Sequence, residues 1–131
     1  MAGFILVGTF ACAQPLANMK QLMLDLIHPA SNDILLFVYR GGSNDDKDWA
    51  ALRRSALTLA EAGNLVMTRG RALDEGDWMK YAKMLADAGT SAYKAAQAKD
   101  VKALAALAEP LDASCTACHK QYRPNVFGGS K

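Results

Sequence analysis

Residues 110–123 read Pro-Leu-Asp-Ala-Ser-Cys-Thr-Ala-Cys-His-Lys-Gln-Tyr-Arg, and the rest of the chain is organised around the Cys115-x-x-Cys118-His119 pattern within them. Two thiols three positions apart fall on nearly one side of a helix. Both can therefore form thioether bonds to the vinyl groups of a single porphyrin, which is covalent c-type haem attachment. The imidazole that follows can turn beneath the iron and supply a strong-field nitrogen. Other uses of a cysteine pair fit less well. A structural zinc site takes about four ligands, and the chain adds only Cys12 and His28, both far upstream and without ligand spacing. A thioredoxin-like pair opens a helix after a strand, whereas this one closes a helical chain. A chance pair of thiols leaves the histidine unexplained.

A chain of 131 residues makes one domain with a modest core. It is 51% hydrophobic, rich in alanine and leucine, and has only 4 prolines, which favours helix over strand. The net charge of +2 and the lack of a basic stretch exclude nucleic acid as the expected partner. No apolar run approaches the ~20 residues of a membrane-spanning helix.

The first ten residues, MAGFILVGTF, have the length and apolarity of the core of an export signal, and Ala11-Cys12-Ala13 is a small-x-small cleavage site. The stretch carries no Lys or Arg ahead of its apolar run. A lipid anchor at Cys12 and a mature first helix are the alternatives. The expected division is a cleaved signal over 1–13 and a single domain over 14–131. Haem attachment of this kind takes place outside the bacterial cytoplasmic membrane, so motif and signal agree, and cleavage leaves only the two haem thiols.

The mature chain reads as four helices. The first runs from Leu16 to Tyr39, with Leu16, Met19, Met23, Leu26, Ile27 and Ala30 as its apolar face. Pro29 should kink or break it. The run Ile34–Val38 is its buried end, and Gly41-Gly42 stops it. The turn Ser43–Asp46 offers capping oxygens to a second helix over Lys47–Arg69. Its core positions include Trp49, Leu52, Ala56, Leu59, Ala60, Leu65 and Val66, and Gly63 is tolerated within it. A polar turn from Gly70 to Gly76 leads to Asp77 as the cap of a third helix over Trp78–Lys99. Asp100 caps the fourth, over Val101–Tyr122, whose apolar face (Val101, Leu104, Leu107, Ala108, Leu111, Cys115) runs into the haem motif; 128–131 is a frayed tail. Four helices with short connections make an all-α, antiparallel up-down-up-down bundle with one covalently bound haem.

In helix number, helix length and motif position the chain resembles the class II c-type cytochromes, the cytochrome c′ and cytochrome c-556 group. The local match is Pro110 five residues before Cys115, then Cys-x-x-Cys-His, then Tyr122-Arg123. The resemblance implies one haem c held by Cys115 and Cys118, His119 as the proximal iron ligand, and Arg123 on the proximal side of the haem. Arg123 is also what a helix C-terminus favours.

The same resemblance carries a distal residue over to Met23, in Met19-Lys20-Gln21-Leu22-Met23. With its thioether on the iron, such a protein is a six-coordinate electron carrier, because a sulfur opposite histidine favours Fe(II). With the methionine turned aside, it is five-coordinate and binds NO or CO. Methionine at helical spacing is also ordinary core filler, and Met19 lies one turn earlier on the same face. His28, five residues beyond Met23, should lie about 140° away round an α-helix and not share its line to the iron. No other distal acid–base pair suits a peroxidase, so no enzyme activity is expected. The expectation is a periplasmic electron-transfer protein of a Gram-negative bacterium, monomer or homodimer, serving periplasmic or membrane-bound redox partners, with NO or CO binding as the alternative.

Overall fold

A computed structural model describes residues 15–127, with side chains to Asn125. The expected signal over 1–13, its boundary at 14, Cys12 and the expected tail lie outside the described residues. All regular structure among the described residues is helical. The first helix, α1, is continuous but made of three pieces: α-helical Met19–Gln21, π-helical Leu22–Ile27 and α-helical His28–Tyr39. Next come α2 (Asp46–Val66) and α3 (Asp77–Gln97). The fourth, α4, is split into Val101–Ala105 and Ala108–Tyr122, and a 3-10 turn, Pro124–Phe127, follows it.

Local chemistry fixes these ends. A capping box opens α1: Asn18 Oδ1 accepts the Gln21 N–H at 2.9 Å, and Gln21 Oε1 accepts the Asn18 N–H at 2.9 Å. The helix therefore starts later than Leu16, which is 99% exposed and no part of the core. Asp45 and Asp100 cap α2 and α4 through their carboxylates, to the N–H groups of Lys47 and Ala103. At α3 the expected cap moves. Gly76 holds the cap position, and the carboxylate of Asp74 takes the N–H groups of Gly76 and Trp78 at 2.9 and 3.1 Å. Asp77 is already the first helical residue. At the other end of α1, Gly41 (φ +78°) closes the helix, with the Gly42 N–H reaching back to the Phe37 carbonyl at 3.1 Å.

The two interruptions share a cause. Proline lacks an N–H and crowds the carbonyl four residues back, so it is comfortable only in a helix's first turn. The helix carrying Pro110 restarts at Ala108, and the α-helical piece carrying Pro29 restarts at His28. Pro29 does not break α1; the π-helical turn before it absorbs the misfit.

The most extensive interface joins α2 to α3, after which α3 packs on α4 and α1 on α2. The α2–α3 seam is unusually close because both helices place Ala-x-x-Gly at it. A Cβ at Gly63 would lie 2.7 Å from the Ala86 amide nitrogen, and one at Gly89 2.8 Å from Ala60 Cα. The pairing of 63 with 86 and 60 with 89 makes the two helices antiparallel. Leu22, Ile34, Leu52, Leu59, Leu104 and Leu111 fill the centre of the bundle. Leu65, expected in the core, is 39% exposed near the end of α2.

Candidate haem centre

The antiparallel order brings the start of α1, the end of α2, the start of α3 and the end of α4 to one end of the bundle. Cys115, Cys118 and His119 lie there on the last turns of α4, each partly buried, and neither cysteine is in a disulfide. Burial pushes both thiols above their ordinary value, with nearby Cys115 adding to the effect at Cys118. These are not the activated thiolates of a redox dithiol. Burial and the neighbouring Arg123 cation push His119 in the opposite direction, below the usual imidazole range. A neutral ring keeps the lone pair that an iron ligand needs. The Arg123 N–H also donates to the His119 carbonyl at 2.8 Å, so the arginine lies beside the histidine at the helix end.

The back of the site is aromatic. Tyr122 meets Trp78 edge to face, ring centres 4.9 Å apart at 75°. Its hydroxyl donates to the carboxylate of Asp74, and burial together with that bond pushes it up to about 12. The same hydroxyl, with the Trp78 N–H, holds Asp74 below the usual carboxylate range. Trp78 is buried and donates its indole N–H to the Val66 carbonyl at 3.0 Å, satisfying one of the open carbonyls at the end of α2. The side chain of Tyr122 thus fastens the end of α4 to the connection ahead of α3.

The start of α1 lies at the same end of the bundle. The N-terminal half of this helix packs on α2, whereas the part beyond His28 approaches both α2 and α4. Leu22 points into the core at 1% exposure. Leu26 lies on one flank of it, where it lines a groove with Leu65, Thr68, Arg69 and Arg71 at the end of α2. Helical geometry puts Met19 and Met23 on the other flank, and both are partly buried against the core.

The π turn also changes the relation of Met23 to His28. The His28 N–H bonds to the Met23 carbonyl, five residues back, so the two lie nearer in line than the expected 140°. His28 is nevertheless exposed, with its ring beside the Asn32 amide.

The donor set fits a c-type haem: two unbonded thiols and a neutral imidazole on one helix end, with an aromatic pair behind them. Sequence reasoning missed Arg71, whose guanidinium reaches the Ala17 carbonyl at 2.9 Å and the Leu65 carbonyl at 3.2 Å. It ties the start of α1 to the end of α2, and no sequence pattern marks it. The Asn18–Gln21 capping box, by contrast, is written in the sequence.

No curated protein and no solved structure matches the chain. The family described as Cytochrome C′ matches residues 73–123, which span the Asp74 turn, α3, α4 and the whole attachment motif. Such a family implies a covalently bound c-type haem. This match, over residues 73–123, supports a class II c-type cytochrome of the cytochrome c′ kind.

Proposed function

We propose that the protein is a periplasmic electron carrier, not an enzyme, in which His119 and Met23 would both ligate the haem iron. The haem supplies a one-electron Fe(III)/Fe(II) couple when bound. Cys115 and Cys118 fix its position, neutral His119 offers its nitrogen, and Arg123 lies beside that ring. Trp78 and Tyr122 would pack behind the attachment motif. The observation that carries this reading is the position of Met23, on the flank of α1 away from the α2 groove and against the core. A thioether there would favour the reduced state and demand little rearrangement on electron transfer. Periplasmic residence is supported by the attachment chemistry and by the apolar segment with a small-x-small site before residue 14. No helix among the described residues is long and apolar enough to cross a membrane. The expected partners are larger periplasmic or membrane-bound redox proteins.

A second reading follows from the family and from where Met23 packs. If its sulfur stays against the core, the distal side is apolar and admits small uncharged diatomics such as NO or CO. Absorption spectra of the matured holoprotein, oxidised and reduced, with and without CO, separate the two. The electron-carrier reading expects low-spin bands, the weak long-wavelength band of methionine-ligated ferric haem, and no response to CO. Met23→Leu should abolish that band and admit CO. A high-spin reduced spectrum that shifts with CO in the unmodified protein would establish gas binding instead.

A further inference from the structure

We propose that Pro29 is a positioning residue: through the π-helical turn at Leu22–Ile27 it selects Met23 rather than Leu24 as the side chain that α1 presents to the haem. The inference rests on the reading of Met23 as the distal residue and goes beyond it, because it names what holds that methionine in register.

Leu22 and Ile27 are both buried, at 1% and 5% exposure, although they are five residues apart. In an α-helix that step is about 140°, and one of the two would leave the core. The π turn removes the conflict. It winds one extra residue into the helix, as the bond from the His28 N–H to the Met23 carbonyl records. Beyond it the buried positions Ala30, Ile34 and Phe37 return to steps of three and four.

One extra residue is worth about 100° of rotation. Were the turn to relax to α-helix with the His28–Tyr39 face held in place, every residue ahead of it would move round by that amount. Met23, four residues before Ile27, would take the core place of Leu22. Leu24, now 57% exposed, would arrive where Met23 is. At the centre of the core the exchange costs little, because Leu and Met are of similar volume and exchange readily. Lys20, which would take the partly buried place of Met19, can carry its ammonium out to solvent on its apolar stem. Both registers are therefore open to this sequence, and something must choose between them.

Pro29 makes the choice. In the relaxed helix its ring would press on the Asp25 carbonyl, and its missing N–H would leave that carbonyl without a partner. The π turn lets His28 and Pro29 sit in the first turn of a fresh α-helical piece, where proline is tolerated. Removing the ring removes the penalty on the α register, and with it the reason for the extra residue.

The test reads the methionine–iron band and the CO response of full-length holoprotein. Pro29→Ala should lose the band and gain a CO-induced shift. Pro29→Ala with Leu24→Met should recover the band, since residue 24 would then occupy the distal place. Met23→Leu with Leu24→Met, in the chain that keeps Pro29, should show no band and bind CO. This last pair exchanges similar side chains, so it remains informative even if Pro29→Ala fails to fold. Retention of the band in Pro29→Ala, or a band supplied by residue 24 while Pro29 is present, would overturn the inference. Retention of the band in Met23→Leu alone would instead overturn the ligand reading itself, a separate result.

Discussion

The two ends of the bundle use the same device and put it to different ends. Each buries a tryptophan that donates its indole N–H to a backbone carbonyl and meets another aromatic ring edge to face. At the end remote from the haem motif, Trp49 reaches the Ser43 carbonyl at 2.8 Å, and Phe37 lies 4.7 Å away at 63°. Everything around it is short and closed. Ser43 donates to Asp48 at 2.6 Å, Gly41 ends α1, and Lys99 pairs with Asp46 across the end. At the motif end, Trp78 reaches Val66 and Tyr122, but the connection from Met67 to Gly76 is longer and α1 stays on the α2 side. There Arg71 keeps a buried Nε with no partner. One end is closed mainly by short local contacts, whereas the other is tied by long-range ones, Arg71 to Ala17 and Tyr122 to Asp74.

Replacing each tryptophan tests that contrast most strongly. Trp49→Ala and Trp78→Ala should each cost about 3–5 kcal/mol, as for other buried aromatic truncations. Chemical denaturation of the holoprotein measures both. The haem spectrum tells them apart: it should be unchanged in folded Trp49→Ala and perturbed in folded Trp78→Ala. Equal spectra would mean that the motif end is no more coupled to the haem than the far end.

The seam between α2 and α3 serves both ends alike. Gly89→Ala should therefore destabilise the fold by about 1–3 kcal/mol through overpacking while leaving the spectrum alone. A spectral change in that variant would show that the seam transmits to the site.

The smallest expected effect lies at the Tyr122–Asp74 bond. A hydroxyl raised in the folded state favours folding below its unfolded value near 10. That contribution fades as pH rises through about 12. Asp74, held low, contributes above the ordinary carboxylate range and loses its share as pH falls through its depressed value. Tyr122→Phe should flatten the alkaline limb of the stability profile and remove the larger share of the acid limb, leaving only what the Trp78 and Gly76 N–H groups still hold at Asp74. An unchanged alkaline limb would remove Tyr122 as its source.

What the sequence revealed and what it hid divide by range. The attachment motif, the Asp45 and Asp100 caps and the Gly41 stop are local patterns, and each is found where its residues announce it. Leu16 and Leu65 were misplaced because periodicity continues past a helix end that only caps or long-range ties define. The split in α4 could have been read from Pro110, which has to sit in a first turn. The π turn could not, because Leu22, Met23, Leu24, Leu26 and Ile27 are all apolar and fit either register. The partnerships of Arg71 with Ala17 and of Tyr122 with Asp74 span 54 and 48 residues, a distance over which spacing says nothing.

The Ala-x-x-Gly seam joins helices that are neighbours in the chain, so this close backbone approach is also cheap in loop entropy. The middle hairpin can therefore form early and from local information. The two outer helices, α1 with Met23 and α4 with the cysteines, would then be the last to meet. Such an order would leave the thiols of α4 accessible until the outer helices pack, which suits a covalent attachment made before the fold is complete.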